Sequence, residues 1–292
     1  YVFALFLALL IPILLAFVLT FIDNNIHSPM DVEQLSTIPI LGVIGKNNLD
    51  NNLVVHRKPK SAVAESFRAI RSNLQYYYKS QDLEGAKTLL VTSSVSGEGK
   101  TFCSINVATV FALSGKKTIL VGLDLRKPKI FGDFKIQNDI GVVNYLIDQE
   151  SLDAVIQKTS IEHLDLITSG PVPPNPSELL LNDKLNKLIT SLKEQYDYII
   201  LDTPPIGLVA DALELLDYVD ATLYVVRQDY TKKGMLNFIN EKYKTKQIKN
   251  ISLVYNGYDQ KAKYGYGYGY GYGYGYGYGN YANGYHDDGV TK

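Results

Sequence analysis

Four short stretches of this sequence hold residue types that could handle a phosphate group. "SSVSGEGKT", Ser93 to Thr101, sets two glycines, a lysine and a threonine almost side by side. Between a strand and a helix, such a loop offers the bare amides of the helix start to phosphate oxygens, and Gly97 and Gly99 let the backbone wrap close without a Cβ in the way. Ser96, Gly97, Glu98, Gly99, Lys100, Thr101 and Phe102 are then the expected ATP-binding residues. Lys100 would reach the β and γ phosphates and the Thr101 hydroxyl would bind Mg²⁺. "ILVGLDLRKP" places Asp124 and Arg126 just past an apolar run, and "YIILDTPP" does the same for Asp202. An Asp after a parallel strand is often only a helix cap. Two beside a phosphate loop read as carboxylates serving a nucleotide-bound Mg²⁺. The expected catalytic set is Lys100, Asp124 and Asp202, and the expected metal set is Thr101, Asp124 and Asp202.

The fourth stretch is "YGYGYGYGYGYGYGYG", residues 264 to 279. Tyr264, Tyr266, Tyr268, Tyr270, Tyr272, Tyr274, Tyr276 and Tyr278 are joined by Tyr281 and Tyr285, and no charge, branched aliphatic or proline lies between the first and the last. Alternating glycine offers no side chain to pack and carries a large entropy cost of ordering, so this tail is expected to be disordered. Alone it reads as low-complexity aromatic sequence that self-associates or dangles. Beside a phosphate site it reads differently. A phenol of pKa ~10 is a protonated, latent nucleophile that needs alignment with a γ-phosphate. A flexible chain from Tyr264 to Tyr285 has an r.m.s. span of ~25 Å, so the tail could enter the site of an adjacent copy at high local concentration.

The elements that must position these residues follow from hydrophobic patterning. Apolar runs at 88–93, 118–123, 164–169, 198–203, 222–227 and 251–256 read as strands, and amphipathic stretches lie between most of them. Near-continuous apolar strands alternating with helices predict a mostly parallel α/β sheet covered by helices on both faces, with ligands beyond the carboxyl ends of its strands. "SAVAESFRAIRSNLQYYY" carries Ala62, Phe67, Ile70 and Leu74 at helical spacing. Residues 23–60, punctuated by Asn, Pro and Gly, read as a linker around one apolar piece, "IPILGVIG".

Residues 1–22 contain no charge and, as a helix, would rise ~33 Å, enough to cross a bilayer core of ~30 Å. A transmembrane helix is expected, and Pro12 does not exclude it. A start at Tyr1 suggests a fragment of a longer chain. Charge balance in residues 23–60 leaves orientation unread. Over the whole chain, 29 basic residues face 30 acidic ones, which implies no strongly charged partner and gives no support to nucleic acid. The single cysteine, Cys103, excludes a disulfide framework within the chain and reads as a packed residue. His27, His56, His163 and His286 are scattered and read as structural or solvated.

Taken together, these motifs resemble those of the bacterial tyrosine kinases, or BY-kinases, of the membrane-fused type found in polysaccharide co-polymerases. The resemblance rests on Walker A "SSVSGEGKT", Walker A′ "ILVGLDLRKP", Walker B "IILDTPP", the E-x-x-R-x-x-R helix motif "ESFRAIR" and the tyrosine cluster, in the family's order along essentially the whole chain. It implies a P-loop NTPase fold organised as a transmembrane helix (1–22), a juxtamembrane linker (23–60), a kinase domain (61–260) and an autophosphorylation tail (261–292). It also implies an ATP- and Mg²⁺-dependent autokinase, with Asn256 near the adenine and the ten tyrosines as acceptors. Glu65, Arg68 and Arg71 would contact a neighbour in a ring, an octamer. On spacing alone these three lie along one side of a helix, where they read as a solvated face with internal ion pairs. Further implications are a bacterial inner-membrane location with the kinase domain in the cytoplasm, polysaccharide polymerisation and export machinery as partner, and a cognate tyrosine phosphatase. Two positions depart from the pattern: Ser94 stands where the Walker A consensus has Gly, and Gly122 where the A′ motif commonly has Asp. The second leaves Asp124 or Asp202 to accept the phenolic proton. A membrane-tethered partitioning-type ATPase and a non-catalytic scaffold are the competing readings.

Overall fold

Four of the inner parallel strands are buried over their whole length, which is why each reads as an apolar run without alternation. The computed structural model describes residues 1–49, 51–180, 182–206, 215–216 and 218–259. Eight strands form one sheet: β1 (Ile40–Gly45), β2 (Lys87–Ser93), β3 (Thr118–Gly122), β4 (Gln157–Lys158), β5 (Leu164–Ile167), β6 (Tyr198–Asp202), β7 (Ala221–Arg227) and β8 (Ile251–Tyr258). Their order is β1-β8-β7-β2-β6-β3-β5-β4, and every pairing is parallel except β4 with β5. The mostly parallel α/β architecture is as expected.

Alternate residues feed opposite faces. Leu89 and Val91 of β2, Leu120 of β3 and Ile200 of β6 join Phe67, Ile70 and Leu74 of the helix Ala62–Ser80 and Ile105 and Phe111 of the helix Lys100–Ala112. Leu90, Ile119, Ile199 and Leu201 point the other way, toward Leu185, Leu188 and Leu192 of the helix Asp183–Lys193. The helix Lys100–Ala112 is buried at nearly every position, so the loop that precedes it is anchored on a rigid rod in the centre of the domain.

The segment expected to be a linker is part of the fold. β1 pairs with β8, and Ile26, Val32 and Ile38 are buried with Tyr224, Leu236, Ile239, Leu253 and Tyr255. The short helix Pro29–Leu35 is capped by Ser28 and Asp31 in a reciprocal capping box. Asn240 Oδ1 accepts from the Thr37 N–H at 2.9 Å and from the Ser36 hydroxyl at 3.2 Å.

Val2–Ile22 is a helix that runs through Pro12, with Phe3, Phe17 and Phe21 exposed. Among the described residues no helix is long and apolar enough to cross a membrane. The side chains at positions 2, 4, 5, 7, 8, 16, 19 and 20 of this helix fall outside the described residues. The tyrosine tail, Tyr264 to Tyr285, lies wholly outside them.

Candidate active site

The three motif-bearing strands are neighbours at the middle of the sheet, in the order β2-β6-β3. Register aligns Val91 and Gly122 with Asp202, so the phosphate loop, the end of β6 and the end of β3 open on the same edge. This is where a parallel sheet leaves helix N-termini and strand ends free to hold a ligand.

The loop from Ser94 enters its helix at Gly99, whose φ of 99° is left-handed and suits only glycine; Gly97, at φ 97°, has the same requirement. No side chain caps this helix, so its first amides keep their donors for an anion. A Cβ on Gly99 would lie 2.2 Å from Asn256 Nδ2.

Lys100 and Asp124 face each other across this opening. Lys100 Nζ lies 2.7 Å from Asp124 Oδ2, both side chains are almost wholly buried, and Asp124 Oδ1 accepts from the Lys127 N–H at 3.1 Å. Burial works against the Lys100 charge, but the carboxylates of Asp202 and Asp124 outweigh it and hold the ammonium pKa above its ordinary value. Asp202, 2% exposed, accepts from the Thr101 hydroxyl at 2.8 Å and the Ser104 hydroxyl at 3.0 Å. Its pKa is raised, because desolvation exceeds the help from Lys100 and the two hydroxyls.

Lys100, Thr101, Asp124 and Asp202, expected from sequence, are therefore brought together. The oxygens of Thr101, Asp124 and Asp202 fit Mg²⁺, a hard cation that takes one or two carboxylates plus substrate phosphates and water. Among the described residues no group of three or more His, Cys, Asp or Glu side chains converges.

The other expected nucleotide-binding residues make contacts of their own around the loop. Glu98 is fully buried and turned away from the opening: one carboxylate oxygen accepts from the Val95 N–H at 2.9 Å and the other from the Thr231 hydroxyl. Burial raises its pKa. Asn256 donates to the Glu98 carbonyl at 2.9 Å, which puts its amide under the phosphate loop. Phe102 turns its ring into the core against Phe67, at 5.5 Å between centroids, leaving only its main-chain N–H for a phosphate. Ser96 and Gly97 are exposed, and their carbonyls accept from the Tyr230 hydroxyl at 2.9 Å and from Arg227.

Arg227 ends β7 and Tyr230 and Thr231 lie in the turn that follows, which straps the loop in place. That turn is in turn held by the segment after the first helix, through Ile26 N–H to Thr231 O and Asp229 N–H to Ile26 O, both at 2.8 Å. Ser94, where a glycine was expected, shares a 2.7 Å hydrogen bond with the buried Tyr224 hydroxyl, giving the departure a local role.

Sequence reasoning missed Ser104 and the strap. Ser104 had a signal, being one helical turn beyond Lys100; the strap had none, since its contacts are remote in sequence. Cys103 is buried as expected, and burial drives its thiol pKa far up. At the second departure, a Cβ on Gly122 would lie 3.3 Å from the Ser169 N and 3.4 Å from its Oγ, so the space beside β3 is filled. Glu65 and Arg68 pair with each other within the chain, while Arg71 Nη1 reaches the Val110 carbonyl at 3.3 Å.

A family model described as an AAA domain matches residues 86–254, the segment that carries this site. The tyrosine-protein kinase YwqD of Bacillus subtilis is 35% identical over 221 residues, covering 75% of this chain and 92% of its own length. A putative tyrosine-protein kinase in the cps region of Klebsiella pneumoniae is 34% identical over 280 residues, covering 89% of this chain but 38% of its own length. Among solved structures, the kinase domain of the Escherichia coli tyrosine kinase ETK superposes with a TM-score of 0.74 at 28% identity, over 84% of this chain and 99% of that one. On these matches, and on the phosphate loop and paired carboxylates they share a segment with, the chain belongs to the bacterial tyrosine-protein kinases.

Proposed function

We propose that the chain is an ATP-dependent tyrosine autokinase that modifies the C-terminal tyrosine cluster of a neighbouring copy within a ring. The observation that carries this reading is the coupling, in one chain, of a buried Lys100–Asp124 and Thr101–Asp202 constellation at a phosphate loop with ten closely spaced phenols. In the transfer, the phenol oxygen bonds to the γ phosphorus as the bond to the β–γ bridging oxygen breaks, and ADP leaves. The phenolic proton passes to Asp124 or Asp202, since Gly122 offers no carboxylate. Lys100 orients the β and γ oxygens, and the loop amides hold the anion. When bound, Mg²⁺ neutralises charge on those phosphates. Thr101, Asp124 and Asp202 would hold it.

The same reading covers assembly and place. Glu65, Arg68 and Arg71 meet a neighbouring subunit in the ring. Modifying all ten phenols adds about −15 to −20 charges per chain, at −1.5 to −2 each, and the repulsion loosens the ring until a tyrosine phosphatase resets it. Association with the bacterial inner membrane, with the kinase domain and tail in the cytoplasm, belongs to the same reading; residues 1–22 carry no charge and Phe3, Phe17 and Phe21 are exposed. The cps-region relative supports a role in capsule or exopolysaccharide polymerisation and export.

The test is incubation of purified chain with Mg·ATP, parent beside Lys100→Met, read by mass spectrometry of tail peptides. Phosphotyrosine in the parent tail alone is the expected result. ADP release with an unmodified tail would reduce the protein to an ATPase.

A further inference from the structure

One surface beside the site has no part in the chemistry above. Immediately after Asp124 the chain runs Leu125, Arg126, Lys127, Pro128, Lys129, and the three basic side chains are exposed. Among the described residues none of them makes an ion pair. Arg126 donates one hydrogen bond, to the Ser177 hydroxyl at 2.7 Å, and a guanidinium has five donors to offer. The next acidic residue, Asp133, is occupied by Asn52 at 2.8 Å. In a chain whose net charge is −1, this is a concentrated positive spot that no acidic side chain pairs with among the described residues.

We propose that Arg126, Lys127 and Lys129 hold a phosphotyrosine already made on the tail of a second copy, so that the first modification favours the next on the same tail. The inference rests on the autokinase reading. An unmodified tail is neutral between Tyr264 and Tyr285 and gains nothing from this loop. One phosphate adds −1.5 to −2 charges and three acceptor oxygens, the chemistry an arginine with flanking lysines recognises. The spacing agrees: Arg126 follows Asp124 by two residues, and successive phenols in the repeat are also two residues apart, a reach of at most ~7 Å in each case. With one phosphotyrosine on the basic loop, a neighbouring phenol is brought to the transfer site.

The test is a titration of synthetic Tyr-Gly repeat peptides, with none or one phosphotyrosine, onto the full chain loaded with ADP. Each exposed cation–phosphate pair contributes a factor of about two to three at low ionic strength, so the phosphopeptide should bind about tenfold more tightly. The preference should vanish in the Arg126→Gln/Lys127→Gln/Lys129→Gln chain and fade in high salt. Equal binding of the two peptides by the parent, or a preference the triple variant keeps, overturns the proposal. So does a triple variant that loses only its binding to anionic phospholipid vesicles, which would assign the loop to a lipid surface. The titration needs no transfer, so its failure is distinct from an unmodified tail with ATP, which would sink the autokinase reading itself. In ATP time courses, parent tails should divide into unmodified and many-fold phosphorylated populations; triple-variant tails should cluster about their mean.

Discussion

Replacing Glu98 separates a residue that braces the phosphate loop from one that meets the nucleotide. Its carboxylate is fully buried and accepts from the Val95 N–H and the Thr231 hydroxyl. Glu98→Gln keeps the shape: the amide oxygen can still accept from Val95, and the amide NH₂ can donate to the Thr231 oxygen, whose second lone pair is open although the first accepts from the Arg227 N–H at 2.8 Å. Glu98→Ala leaves the part-buried Val95 N–H and the buried Thr231 hydroxyl without this acceptor, at about 1–3 kcal/mol each. The alanine variant should therefore lose about 2–6 kcal/mol of stability, while the glutamine variant should stay within about 1 kcal/mol of the parent.

Denaturant unfolding and titration of a fluorescent ADP analogue read the two effects. Nucleotide affinity should fall sharply for Ala and at most a few-fold for Gln. The pH dependence carries a sign. Burial raises the Glu98 pKa, so the folded state holds its proton to higher pH than the unfolded chain does. The parent then loses stability as pH climbs from the ordinary carboxylate value through the raised one. Glutamine does not titrate, so Glu98→Gln should gain on the parent across that window. If glutamine were as damaging as alanine, or the two curves ran parallel, the bracing assignment would be wrong.

Other perturbations follow from the same geometry. Gly99→Ala should cost several-fold or more in nucleotide affinity, because the φ of 99° and the 2.2 Å approach of Asn256 Nδ2 both oppose a side chain; an unaffected titration would show that the loop refolds freely. Asp202→Asn should abolish the Mg²⁺ dependence of ATP binding, while Ser104→Ala, which removes one of two hydroxyls on that carboxylate, should weaken it only a few-fold, as read by titration with and without the metal. Replacing the ten tail tyrosines with phenylalanine should leave ATP binding intact and freeze the assembly state; an oligomer size that still responded to ATP in light scattering would remove tail charge from the mechanism.

Much of this fold is legible because buried parallel strands write themselves as apolar runs: β2, β3, β5, β6, β7 and β8 all fall on such runs. β1 is not legible in that way. Pro39, Gly42 and Gly45 punctuate it like a loop, yet Gly42 is required there because Ile70 Cγ1 sits 2.5 Å from where a Cβ would be. The signal for a linker was thus the signature of a helix packed hard onto a strand. Lys100, Thr101, Asp124 and Asp202 could be found because each follows a strand end within a local pattern. Glu98 could be located but not understood, since its partner Thr231 and the strap residues Arg227 and Tyr230 come from the end of β7 and the turn after it, which no local spacing reveals.

Transfer between copies can be read in a mixing experiment. A chain truncated after Asp259 keeps the site and lacks the acceptors; a Lys100→Met chain keeps the acceptors and lacks the lysine. Incubated together with Mg·ATP, the pair should yield phosphotyrosine on the tail of the Lys100→Met chain, and neither should do so alone. An unmodified tail in the mixture, with the parent chain labelled under the same conditions, would contradict transfer between copies.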